Sequence, residues 1–251
     1  IAALKHKRLF ADIRVPKRYQ NKSLDNFEEN WQSLGWRMAT RYVERFDEIR
    51  EADTNGLFFV GPPGTGKTHL AYAILHALLP KVKSAICASV PDLMELLRPQ
   101  SKIKEEERRE AEQMVRERMV ALQTSDLLIL DDIGAQKDSA WTTERIYMII
   151  NARYNEQLPT LMTSNLELSQ LEAIPGWGRI VSRIDEMCHA VICDGEDRRQ
   201  SKAKRKDDDP HDDSKEGRAE ELGRRGQASP RDRGAAGSGR RARDGVQRQV
   251  E

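Results

Sequence analysis

This sequence predicts an α/β fold, a parallel five-stranded sheet flanked by helices, and three observations carry that prediction. The first is Gly61-Pro62-Pro63-Gly64-Thr65-Gly66-Lys67-Thr68, set between the apolar run Leu57-Phe58-Phe59-Val60 and the helical stretch His69 to Leu75. Strand, glycine-rich turn and helix in that order is the setting of a phosphate-binding loop. The second is Leu127-Leu128-Ile129-Leu130, which runs apolar until it ends in Asp131 and Asp132. Parallel strands buried on both faces read this way. The third is the alternation of strand-like and helix-like stretches along the chain, as in successive βα units.

Composition narrows the class. The chain has 251 residues, enough for one ordinary domain with appendages. Charged residues make up 33%, yet the net charge is only +1, so a uniformly basic surface is excluded and any nucleic-acid site must be a local patch. The three cysteines, Cys87, Cys188 and Cys193, form no CxxC pair; free thiols in a reducing cytoplasm are expected. Cys188, His189 and Cys193 lack a fourth ligand nearby, and a strand explains them better than zinc does. With no long apolar run and no signal stretch, no membrane partner is expected.

The elements follow in order. Residues 1–35 read as an N-terminal arm, extended around Ile13 to Tyr19 because Pro16 biases Val15 away from helix. Trp36, Ala39, Tyr42, Val43 and Phe46 recur at helical spacing and predict an amphipathic helix over 36–50. The loop helix ends near Pro80, and Ser84 to Ser89 is a second buried strand, after which Pro91 opens a short helix. Residues 101–123 form a long charged helix with Met114, Val115, Met119 and Leu122 along one side. After the acid-ended strand, residues 141–157 form a helix with Ile146, Ile149, Ile150 and Tyr154 inward and Asn151 and Arg153 as polar oddities. Thr160 to Asn165 is a fourth strand, 179–187 a helix carrying Arg179 and Arg183 on one face, and Cys188 to Cys193 the last strand. Residues 201–251 are about half charged, with Leu222, Val246 and Val250 as their only large aliphatics. That segment cannot bury enough surface to offset chain entropy and reads as a disordered tail.

Residue chemistry points to a nucleoside triphosphate. Glycines let backbone N–H groups curl around an anion, and the new helix adds its positive end. Lys67 would meet the β- and γ-phosphates, and the Thr68 hydroxyl and Asp131 would ligate Mg²⁺. Asp132 is placed to orient or deprotonate an attacking water. Asn165 would stand beside the two aspartates if its strand neighbours theirs; otherwise it would cap the next helix. On residues alone, a hydrolase or a P-loop small-molecule kinase is implied, and a module that holds ATP without turnover remains open.

The ordered set Gly61 to Ala71, Leu128-Ile129-Leu130-Asp131-Asp132-Ile133-Gly134, Thr163-Ser164-Asn165 and Arg179 to Arg183 resembles the AAA+ ATPases of the DnaC/DnaI helicase-loader and IstB group. The likeness spans roughly residues 10–199. It implies an AAA+ ATPase domain over 36–200 that binds ATP and Mg²⁺, with Gly61, Pro62, Pro63, Gly64, Thr65, Gly66, Lys67, Thr68 and His69 as the nucleotide-binding stretch. Asp131 and Asp132 would be Walker B, Asn165 the first sensor, Arg183 an arginine finger reaching a neighbouring subunit, and Arg199 the second-sensor arginine. A homo-oligomer with ATP at its interfaces is therefore expected. The charged helix falls where this group carries an insertion facing single-stranded DNA, with Arg108, Arg109, Arg116 and Arg118 as candidates. The partner implied is a replicative helicase of the DnaB type or, on the IstB alternative, a transposase. The sequence departs from the group in three respects: Asp132 stands where many AAA+ proteins have Glu, the segment before the core is short and lacks cysteines, and no second helical domain is expected after Arg199.

Overall fold

The computed structural model describes residues 15–27, 33–98, 104–195 and 197. Expectations for residues 1–14, for Arg199 and for the tail over 201–251 lie outside the described residues.

Five short strands build one parallel sheet: β1 Gly56–Val60, β2 Ala85–Ser89, β3 Leu127–Asp131, β4 Thr160–Ser164 and β5 Cys188–Ile192, in the order β2-β3-β4-β1-β5. The three inner strands β1, β3 and β4 are buried at every residue. That accounts for the apolar runs of β1 and β3, since helices cover both faces, whereas in β4 the buried Thr160, Thr163 and Ser164 hydroxyls are hydrogen-bonded within the protein. β2, expected to be fully buried, alternates half-buried and buried residues because it lies at the sheet edge.

Strand parity divides the core in two. Phe58, Val60, Leu128, Leu130 and Met162 face one way, toward α4 (Val90–Leu97), α5 (Glu105–Thr124), α6 (Ala140–Asn155) and α8 (Gly178–Met187). Leu57, Phe59, Leu127, Ile129 and Leu161 face the other way, toward α1 (Ser33–Glu44), α2 (Phe46–Ile49) and α3 (Lys67–Leu78). α7 (Leu168–Glu172) is a single turn closed by reciprocal capping between Glu167 and Gln170, an element the apolar periodicity is too short to signal.

Four sequence expectations are corrected. The helix expected over 36–50 is two helices, because the backbone leaves helical values at Arg45 (φ −105°, ψ 21°) before Phe46 turns inward. Met114 lies on the solvent side of α5, one residue off the line Val115, Met119, Leu122 that packs inward. In α6 it is Arg153 that is fully buried, whereas Tyr154 is half-buried and donates its hydroxyl to Glu186. The arm closes into a 3-10 turn over Lys17–Tyr19 in place of a continuous extended run. Among the described residues no helix is long and apolar enough to cross a membrane, and no group of three or more His, Cys, Asp or Glu is arranged to hold a metal.

Candidate functional site

β1, β3 and β4 are neighbours, so their carboxyl ends open onto one place, where ligands bind in open parallel sheets. The loop after β1 supplies the cradle. Gly61, Gly64 and Gly66 have φ of 148°, 83° and 96°, and Gly66 caps the start of α3. A side chain at Gly61 would run into the carbonyl of Cys193, and at Gly66 its first carbon would sit 2.9 Å from the Phe27 ring. Glycine at these two positions is thus required by conformation and by space. Pro62 and Pro63 are exposed on the outside of the turn, and Thr65 is buried, donating its hydroxyl to the Pro62 carbonyl at 3.0 Å.

Lys67 is only 4% exposed, and its ammonium donates to the carbonyls of Gly61 and Pro62, each at 2.7 Å. The positive charge is thereby held inside the curl of the loop, beside the first turn of α3, where N–H groups are free of helix partners. Thr68, next along, donates its hydroxyl to Asp131 Oδ1 at 3.0 Å. Loop and acid-ended strand therefore meet, as their chemistry requires.

Asp131 lies level with Thr163 of β4, whose hydroxyl also donates to Asp131 Oδ1, at 2.6 Å. Burial pushes the Asp131 carboxyl above the usual carboxylate range, and the nearby Asp132 charge adds to this; the hydroxyls of Thr163 and Thr68 and the Lys67 ammonium oppose it. A carboxylate and a hydroxyl are hard oxygen donors of the kind Mg²⁺ takes, and the glycine cradle beside a buried ammonium suits a polyphosphate. ATP and Mg²⁺ both fit these residues.

Asp132 follows the strand with φ of 56°, a left-handed conformation uncommon for a residue with a side chain. Its N–H donates to Thr163 Oγ1 at 2.9 Å, and its carbonyl accepts from Ala135 N–H at 3.1 Å. Its carboxylate, half-exposed, takes no hydrogen bond among the described residues. Asn165 directly follows β4, which lies between β3 and β1, so the adjacency its role requires is present. It is exposed and does not cap the next helix, a place taken by Glu167.

The remaining candidates are dispersed. The His69 side chain turns away from the loop to the arm, with Nε2 3.1 Å from the Ser23 carbonyl and 3.0 Å from Asn26 Oδ1 and the ring edge-on to Phe27. Arg183 belongs to α8, and its Nε donates to Asn151 Oδ1 at 2.8 Å while its guanidinium lies over the rings of Tyr147 and Tyr154. No carboxylate faces it in those contacts. On α5, Arg118 donates to the Leu96 carbonyl and Arg108 pairs with Glu112, whereas Arg109 is exposed. Two features escaped the sequence reading: the Thr163 hydroxyl, signalled only by a polar residue near the end of a buried strand, and Asn151 with Tyr147 as the cradle of Arg183.

The model of the IstB-like ATP binding protein family matches residues 2–206. This chain belongs to that family. Relatives include the replicative helicase loader DnaC of Escherichia coli K12, 30% identical over 184 residues, which are 72% of this chain and 70% of that protein. The replicative helicase loader DnaI of Bacillus subtilis is 26% identical over 174 residues, covering 64% of this chain and 52% of its own length. The crystal structure of the DnaC helicase loader superposes with a TM-score of 0.57 at 30% identity, over 70% of this chain and 99% of that one. The expected AAA+ membership in the DnaC/DnaI and IstB group and the parallel P-loop fold are both borne out, and ATP binding is the family's common property.

Proposed function

We propose that this chain is an ATP-dependent replication protein that loads a DnaB-type replicative helicase onto single-stranded DNA. The observation that carries the reading is the bond from Thr68 to Asp131, which joins loop and strand into one Mg-nucleotide site in a chain 30% identical to an established loader. In this reading the ATPase domain spans 36–200 and residues 1–35 are an N-terminal arm, of which the described residues Tyr19, Lys22 and Ser23 meet Tyr72, His76 and His69 of α3.

The chemistry follows from the residues. Lys67 would exchange its two loop carbonyls for β- and γ-phosphate oxygens of a bound nucleotide, and Thr68 and Asp131 would hold Mg²⁺, whose charge would offset that developing on the phosphates. Asp132, whose carboxylate takes no hydrogen bond among the described residues, would accept a proton from the water that attacks the γ-phosphorus as the bond to the β–γ bridging oxygen breaks and ADP leaves, and Asn165 would orient that water. Arg183, half-buried on α8 and without a carboxylate partner among the described residues, would reach the γ-phosphate of an adjoining subunit. Hydrolysis removes the contacts that hold this interface, so ATP times the handover of the helicase. The shorter reach of Asp132, relative to a glutamate, makes slow turnover governed by DNA or partner the expected regime. The exposed arginines of α5 supply a salt-dependent contact to single strands.

A second reading, an ATP-binding helper of a transposase acting on duplex DNA, is supported by membership of the IstB-like ATP binding protein family. Steady-state ATP hydrolysis with and without single-stranded or duplex DNA separates the two. Stimulation by single strands, lost in Lys67→Ala and Arg183→Ala, together with capture of the host's replicative helicase, is the loader outcome. Stimulation by duplex alone refutes it.

A further inference from the structure

We infer that Thr163 is a positioning residue for the Mg-nucleotide centre, one hydroxyl setting both the metal-holding carboxylate of Asp131 and the backbone of Asp132. The inference rests on the reading of Asp131 as a magnesium ligand. Parity places it: Thr163 shares the face of Leu161, as Asp131 shares that of Leu127 and Ile129, and this is the face that α3 covers with Thr68 at its head. Thr163 is fully buried, so its hydroxyl must find partners within the protein.

Those partners use the hydroxyl both as donor and as acceptor. It donates to Asp131 Oδ1 at 2.6 Å and accepts the N–H of Asp132 at 2.9 Å, while the Thr163 carbonyl accepts the N–H of Ile133 at 2.8 Å. Three successive residues, the last of β3 and the two that follow it, are thus tied to one residue of β4. The ties span the point where Asp132 adopts φ of 56°, a conformation that persists only where surrounding structure enforces it. Both hydroxyls, of Thr68 and Thr163, converge on Oδ1, which leaves Oδ2 as the oxygen available to a cation. Were the Thr68 hydroxyl to turn to Mg²⁺, the shorter Thr163 bond would still fix the rotation of the carboxylate. Partners of this kind around a metal ligand typically change metal affinity or activity about 10–100-fold when removed.

Thr163→Val removes the hydroxyl at nearly constant shape, and Thr163→Ser keeps it. Binding of a fluorescent ATP analogue is titrated against Mg²⁺ beside steady-state hydrolysis, with folding followed by circular dichroism. For Thr163→Val the Mg²⁺ needed for half-saturation rises, and kcat falls, by about tenfold or more, while binding in EDTA is unchanged because the loop is intact. Thr163→Ser restores both. Wild-type Mg²⁺ dependence in Thr163→Val overturns the inference, as does a loss that Thr163→Ser shares. Should the valine variant not fold, Thr163→Cys, a weak donor of similar size, is read by the same criteria. A wild-type protein whose nucleotide binding ignores Mg²⁺ overturns the reading of Asp131 and the inference with it; Mg²⁺-dependent wild type with an unaffected variant overturns only the inference.

Discussion

At the scale of single residues, the site is built from groups that burial makes costly and that ligand binding then satisfies. Asp131 is 7% exposed and its carboxyl is pushed up, mainly by desolvation. The sign of the consequence is fixed by linkage: a carboxyl raised above its unfolded value of about 3.9 contributes fully to stability below that pH, and the contribution is lost as pH rises through the folded-state value. At neutral pH the ionised Asp131 therefore opposes folding in the absence of ligand. Asp131→Asn, whose amide oxygen still accepts from Thr68 and Thr163, should raise the melting temperature of the nucleotide-free protein at pH 7 and abolish Mg-dependent nucleotide binding. Melting curves from pH 4 to pH 8 test this, because the gain should shrink as pH falls; a gain independent of pH, or none, refutes the account. The pair Lys67 and Asp131 was legible in the sequence because backbone geometry and chemistry demand particular residue types at particular offsets. Thr163 was not, because a threonine in an apolar strand looks the same whether it meets a carboxylate or merely packs.

At the scale of elements, Arg153 joins the parts that carry the site. Its guanidinium, fully buried, donates to the Leu122 and Ser125 carbonyls at the end of α5, to the Pro159 carbonyl at 2.8 Å and to Thr160 Oγ1 at 2.8 Å. It therefore ties the carboxyl end of α5, where helix carbonyls lack partners and positive charge is favoured, to the start of β4. Burial lowers its pKa to about 9, so the charge is retained at neutral pH on hydrogen bonds to oxygens without a carboxylate partner in those contacts. Arg153→Met should cost about 3–5 kcal/mol, since several buried carbonyls lose their donor together. Arg153→Lys should recover only part of this, because an ammonium cannot present the planar fork. Urea denaturation midpoints decide; a methionine variant as stable as wild type would show that the carbonyls find other partners. The spacing of α6 marked Arg153 as an oddity, but nothing in its neighbourhood along the chain marks partners more than 25 residues away.

At the scale of the whole molecule, the proposed function gives the nucleotide loop and Arg183 complementary tasks. Arg183 is held by Asn151 and by two tyrosine rings on α6, a mount that under the proposed function would present it to an adjoining subunit. Arginine fingers are worth about 10³–10⁵ in rate, so Arg183→Ala alone should lose about a thousandfold of stimulated hydrolysis. Lys67→Ala, which can lend its finger without holding ATP well, should restore part of that when mixed with Arg183→Ala. Hydrolysis by the mixture no greater than by the separate variants counts against a finger acting between subunits.

Local pattern settled what depends on neighbours in the chain. The strand, loop and helix around Gly61 to Thr68, the acid-ended strand and the alternation that makes the sheet parallel all follow from backbone conformation and from burial on both faces. The family resemblance rested on those same residues in that order. Tertiary structure decided the strand order β2-β3-β4-β1-β5, which puts Asn165 beside the aspartates, and the meeting of Thr163 with Asp131 and of Arg153 with α5. These are pairings across long stretches of chain, and a hydrogen bond between strands or helices leaves no periodicity in either. It arises only when burial brings a donor and an acceptor together and excludes the water that would otherwise serve both.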